Sequence, residues 1–176
     1  TTHIYGASCL LCYGIAAAAN SSLSSHLESM PFSEISAIGD MVSDIMMNQG
    51  KQAEVVMLPM KINKLPKYKG PLGFPKKDFR SLKAKLNIDT LIVISLPQHG
   101  AHRSYNSYIP VTDPLASVQG TIYTVDLATN RYLQFSRVDF KVNVAGEWDE
   151  PPSFPGVTNA YYEAVEKTKE HIQTLF

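Results

Sequence analysis

The sequence predicts an α/β fold: a single domain over residues 1–176, with a mixed five-stranded sheet and helices packed on it. Three observations carry this. Apolar residues at helical spacing alternate with short apolar runs bounded by Gly, Pro and Asn. The run Asp89–Leu96 is apolar throughout its centre, as suits a strand covered on both faces. Two strand-like segments meet at Ala128-Thr129-Asn130, where Asn tolerates the positive φ of a tight hairpin.

Taken in order, His3–Ala19 is an apolar run whose Gly6 and Gly14 lower its helix propensity, so it reads as a buried strand. Asn20 and Ser21 offer caps for a short helix with Leu23, Leu27 and Met30 on one face, ended by Pro31. Ser33 caps a second helix whose face holds Ile35, Ile38, Val42 and Ile45. Met41, Met46 and Met47 widen that face as core filler, and Gly50 terminates it. Ala53–Pro59 reads as a strand, and residues 61–75 as a loop by their prolines and glycines. Pro75 opens a helix carrying Phe79, Leu82 and Leu86, and Asn87 closes it.

After the strand Asp89–Leu96 comes a long loop, Pro97 to about Ala116. Val118–Leu127 and Arg131–Val144 form the hairpin. In its second strand Leu133 and Phe135 are odd-numbered, whereas Val138, Phe140, Val142 and Val144 are even-numbered; the phase slip calls for a bulge near Ser136–Arg137. A last helix shows Val157, Tyr161, Val165, Thr168, Ile172 and Leu175 at spacings of three and four. The order is β-α-α-β-α-β-β-β-α. Strands separated by helices suggest parallel pairing, and the hairpin adds antiparallel strands.

Composition narrows the function. A chain that is 44% hydrophobic and 18% charged is not a disordered tail. Sixteen bases balance sixteen acids, so a protein that coats nucleic acid is not expected. The charge is uneven, however. Residues 61–87 hold nine bases against one acid, Asp78, between acidic flanks. Lys64, Lys67, Lys69, Lys76, Lys77 and Arg80 in that segment could meet an anionic membrane surface, or simply form a solvated face. The chain opens Thr-Thr without an initiator methionine, as a processed or truncated chain does. No Lys or Arg precedes the apolar stretch Ala7–Ala19, so that stretch reads as mature sequence and not as a targeting peptide.

Motifs for chemistry are few. Cys9 and Cys12 have C-x-x-C spacing. On a strand, residues three apart point to opposite faces, so two buried free thiols are expected; the alternatives are a redox pair, which would sit at a helix start after a strand, and a labile disulfide. His99 and His102 share the predicted loop and could ligate a metal, with Asp113, Glu147, Asp149 or His171 as a third ligand, though the spacing does not demand one. Ser95, His99 and Asp113 lack a nucleophile elbow, and no phosphate-binding glycine motif is present. Glu147-Trp148-Asp149-Glu150 reads as an acidic loop with an anchoring tryptophan. Arg103, Tyr105 and Tyr108, in the long loop after the central strand, are residue types favoured at binding hot spots. They either form a partner-binding surface or tack the loop onto its own domain.

Three stretches resemble a known group: Phe79–Val93 (FRSLKAKLNIDTLIV), Tyr123–Leu133 (YTVDLATNRYL) and Met46–Gly50 (MMNQG). Together they resemble the bacterial envelope proteins that include the amino-terminal domain of TolB, the curli-secretion lipoprotein and the lipoprotein activators of penicillin-binding proteins. The resemblance covers roughly residues 36–172 in element order and about 30 residues in local pattern. It implies a small α/β domain in the periplasm, lipid-anchored to the outer membrane, which binds another envelope protein and has no catalytic residues. No functional residue carries over, because these motifs are structural. The long loop 97–117 and the basic segment depart from the group.

The expected function is therefore a non-enzymatic binding or accessory domain of the cell envelope, acting through protein–protein contacts, with no cofactor or metal. The alternatives are a metal-assisted hydrolase using His99 and His102, and an anionic-surface binder using residues 61–87.

Overall fold

The computed structural model describes residues 1–31, 33–58 and 60–176. The elements run β1 (Thr2–Tyr5), α1 (Leu10–Ala19), α2 (Ser21–Ser29), α3 (Ser33–Asn48), a 3-10 turn Ile62–Lys64, α4 (Ser81–Leu86), β2 (Thr90–Asn106), β3 (Ile109–Pro110), β4 (Leu115–Asp126), β5 (Arg131–Asn143) and α5 (Pro155–Gln173). The protein is α/β, with a mixed five-stranded sheet. Its path is β1-β2-β4-β5, and β3 pairs with β2. β1 runs parallel to β2, from Thr2 opposite Ala101 to Tyr5 opposite Ser104, and β3 is antiparallel to β2.

Contacts group the chain into two compact units. One holds Thr1–Ala53, Leu96–Gln119 and Asp139–Phe176; the other holds Glu54–Ser95 and Gly120–Val138. In the first unit α1 and α2 pack on β1 and on each other, and α3 packs on α5. The 3–4 spacing read from the last helix is its buried stripe: Val157, Tyr161, Val165, Thr168 and Ile172 are all buried. On α3, Ile38, Val42 and Met46 are buried and Met47 is exposed. Lys169 on α5 bridges Glu34 on α3 and Glu166 one turn away.

The second unit has its own core of Leu65, Phe79, Leu82, Leu91, Val93, Val125 and Leu127. Asn130, at φ 62°, ends the β4–β5 turn as the sequence predicts, and it does more. It is fully buried. Its Oδ1 accepts the Phe79 N–H at 2.9 Å and its Nδ2 donates to the Lys77 carbonyl at 3.1 Å, pinning the loop before α4. Asp126 accepts the Ala128 and Thr129 N–H groups, which hold its carboxyl below the usual range.

Five expectations need correction. The first concerns His3–Ala19, which is not one strand: β1 stops at Tyr5 and Leu10–Ala19 is helical. The decisive signal was Ala16–Ala19, four residues of the highest helix propensity, and in the structure Cys9 caps the helix that they extend. Gly14 costs the helix about 1 kcal/mol relative to alanine, and the open space beside it means that nothing in the packing demands glycine there. Secondly, residues 53–58 form no strand among the described residues, and Pro59 lies outside them. Val56 and Leu58 turn toward the second core while Val55 and Met57 face out, so the segment alternates like a strand but joins no ladder.

Pro75 is also not a helix start. It lies buried in a segment held by the Tyr68 N–H to Lys76 carbonyl and Asp78 N–H to Pro66 carbonyl bonds, and α4 waits until Ser81. The long loop Pro97–Ala116 is mostly strand, because β1 and β3 supply partners for the far half of β2. Gly100, at φ 126°, permits this: a Cβ there would overlap the Thr1 carbonyl oxygen. Finally, β5 has no phase slip. Even-numbered positions from Tyr132 to Val142 are the sheltered ones throughout, and Leu133 and Phe135 are exposed outward residues.

Candidate functional site

The corner where β1 hands over to α1 holds a group open to thiol chemistry. Cys9 and Cys12 are joined as a disulfide, in place of the two free buried thiols expected. The correction follows from the helix. Cys9 is the N-cap of α1 in extended conformation, and one helical turn brings Cys12 back beneath it. The Cys12 N–H donates to Cys9 Sγ at 3.0 Å. Cys9 is exposed and Cys12 is buried. The Cys12 Sγ lies 3.3 Å from the Ser107 hydroxyl. No acidic residue stands in the first turn of α1.

Ser107 reaches this corner from the turn between β2 and β3, where it sits at φ 62°. Its N–H donates to the Gly6 carbonyl at 3.3 Å. Gly6, at φ 79°, has to be glycine, since a Cβ would overlap the Tyr105 carbonyl oxygen. Two turns are thus clamped against each other with the disulfide between them.

Exposed apolar side chains lie along both segments that meet at the disulfide. Leu10 and Leu11, between the cysteines, are 91% and 73% exposed, and Tyr13 and Ile15 are exposed beyond them. On the hairpin side, Tyr108, Ile109 and Val111 are exposed as well. α1 contains no charged residue, and residues 1–50 contain no Lys or Arg.

Of the three predicted partner-binding residues, only Tyr108 is on the surface. Arg103 and Tyr105 are 8% and 5% exposed and act inside the first unit. Arg103 donates to the Thr112 carbonyl and to Asn20 Oδ1, and its guanidinium lies 4.5 Å from the centre of the Trp148 ring. The Asn20 amide donates to the Tyr105 hydroxyl and the Ala16 carbonyl. The residues tack β2 to α1 and to the acidic loop whose tryptophan the sequence reads as an anchor.

The histidines are structural neighbours of aromatic rings. His99 Nδ1 is 3.0 Å from the Tyr161 hydroxyl, and His102 stacks on Tyr5 at 4.2 Å. Among the described residues no three His, Cys, Asp or Glu side chains are placed to hold a metal. Burial lowers the pKa of both imidazoles, and for His102 the nearby Lys141 adds to it. A histidine with a lowered folded-state pKa binds its proton first in the unfolded chain. Stability should therefore fall as pH drops from about 6.5 toward the lower folded-state values. Denaturant midpoints at pH 7.5 and 5.5 check this, and the drop should shrink in His99→Gln/His102→Gln.

In the second unit, Lys77 is not available to a ligand surface: its Nζ donates to the carbonyls of Asn63 and Leu65. Arg80 is paired with Asp78 at 2.7 Å and lies over Tyr68. Lys64, Lys67, Lys69 and Lys76 are exposed.

Comparison of this chain with family models, with curated proteins and with solved structures returned no match. The sequence signal that could have located the corner was C-x-x-C followed directly by a helix-forming run. Ser107 carried no sequence signal, because only the fold brings it to Cys12.

Proposed function

We propose that this chain is a polypeptide-binding domain of the bacterial cell envelope, and that its partner docks on the exposed face of α1. The observation that carries the proposal is Leu10-Leu11, two leucines left almost wholly in water on a helix without a charged residue. A helix that is apolar all round ordinarily has a partner over it, and contiguous exposed apolar surface marks interaction sites. The partner is protein and not an anionic lipid surface, because residues 1–50 supply no base to attract one. Tyr108 is retained from the predicted binding residues as a flanking contact. The disulfide fits an oxidising compartment, which supports a location outside the cytoplasm. The periplasm, with a lipid anchor to the outer membrane, is the form that the resemblance implies. Binding of this kind needs no catalytic residue.

Photo-crosslinking tests it. A benzophenone side chain at position 11 and another at 108 should give the same polypeptide adduct in intact envelopes, and one at position 64 should not. In the chain with the photoprobe at 108, Leu10→Ser/Leu11→Ser should abolish the adduct and leave Tm within a few degrees. Lipid adducts alone, or no adduct from position 11, would overturn the proposal.

A further inference from the structure

We infer that the Cys9–Cys12 disulfide is a redox site that exchanges with a dithiol carried by a bound polypeptide. The inference rests on the binding face proposed above for its protein substrate, but its chemistry stands on four observations of the disulfide itself. It closes a C-x-x-C at the N-terminus of a helix that follows a strand. One sulfur belongs to an exposed residue and the other to a buried one. The Cys12 N–H points at Cys9 Sγ. The Ser107 hydroxyl lies against Cys12 Sγ. A disulfide that only braced the fold would need none of these beyond closure, and a three-residue span closes very little chain.

The exchange balances as follows. A thiolate of the substrate attacks Cys9 Sγ, the sulfur of the exposed residue. The Cys9–Cys12 bond breaks, and its electron pair leaves on Cys12 Sγ, where the Ser107 hydroxyl donates to the new thiolate. The product is a mixed disulfide between Cys9 and the substrate. The second substrate thiolate attacks its own chain's sulfur in that bond and releases Cys9 as a thiolate. The Cys12 N–H, the helix N-terminus and a first turn without acids stabilise that leaving group. The two thiol protons end on Cys9 and Cys12 or in solvent. The substrate is oxidised to a disulfide by two electrons, and the Cys9–Cys12 pair is reduced to the dithiol.

The test uses the full chain, with dithiothreitol and a synthetic apolar peptide carrying two cysteines as probes. In the reduced protein, the rate of Cys9 alkylation by iodoacetamide should inflect about one pH unit or more below the ordinary thiol value of about 8.5. Cys12→Ser should trap a mixed disulfide with the oxidised peptide, and Cys9→Ser should not. Ser107→Gly, which suits the positive φ while removing the hydroxyl, should slow reduction by dithiothreitol several-fold. An inflection at the ordinary value, or equal trapping by Cys9→Ser, would overturn the inference. Leu10→Ser/Leu11→Ser separates the two proposals. If the binding face alone is wrong, exchange with the peptide is as fast as in the unaltered chain while the Cys9 inflection stays low. If the redox site alone is wrong, the inflection is ordinary while crosslinking from position 11 persists.

Discussion

Val142→Asp is expected to lower the folding stability by about 4 kcal/mol, whereas Asn143→Asp should change it by less than about 0.5 kcal/mol. The two residues are neighbours on β5 and face opposite ways: Val142 is buried and Asn143 is exposed. The aspartate at 142 would lose the buried valine's transfer free energy and bring a carboxylate to a position only 7% exposed to water. That carboxylate would relieve its desolvation by staying protonated, so its folded-state pKa would rise above the unfolded value. A group of that kind costs most above its folded pKa. The deficit relative to Val142→Asn should therefore narrow as pH falls from 7 to 4. Urea titrations of the four proteins at both pH values provide the check. Equal effects at 142 and 143 would mean that β5 is turned over in the sheet.

The alternation behind this prediction was legible in the sequence only in part. Val138, Phe140 and Val142 announced their face, but Leu133 and Phe135 suggested the opposite one. The conflict dissolves because apolar residues need not be buried, and here two of them stand outside. The long helices were legible because about four or five turns of spacing repeat the same message, as on α3 and α5. Short or polar pairing was not. Pro97 to Asn106 holds a proline, a glycine and mostly polar residues, yet it is strand, since it pairs with Thr1–Tyr5, nearly a hundred residues earlier, and with Ile109–Pro110. Tertiary pairing of that kind leaves no local trace.

The candidate site shows the same division. C-x-x-C was visible, but its meaning depended on whether the run was helix or strand. The two glycines weighed against helix, and the four alanines outweighed them. Exposure was the larger surprise. Leu10 and Leu11 look like core in a sequence, and Arg103 and Tyr105 look like surface, yet the structure exchanges them. A buried arginine is affordable only where its N–H groups find acceptors, and those acceptors are Asn20 and Thr112, which sequence spacing does not connect to it.

That dependence sets the second large effect. Asn20→Ala is expected to cost about 3 kcal/mol, more than a cap or a surface amide would. Asn20 is buried, and its three side-chain bonds go to the Ala16 carbonyl, the Tyr105 hydroxyl and the Arg103 guanidinium. Alanine removes all three at once and leaves a buried cation short of an acceptor, which is costlier than losing a neutral bond. Among the described residues no carboxylate lies within ion-pair distance of Arg103 to take over. The Trp148 face still offers some attraction, so the guanidinium is not stranded altogether. Much of the loss is thus a penalty on Arg103 and should vanish when Arg103 is gone. In a double-mutant cycle, Asn20→Ala with Arg103→Met should cost clearly less than the sum of the single changes, by about 1–2 kcal/mol. Asn20→Ala with Tyr105→Phe should also fall short of additivity, by less, since only a neutral hydroxyl is involved. Additive costs in the arginine pair would show that the guanidinium finds its acceptors elsewhere and that Asn20 is no more than the junction between α1 and α2.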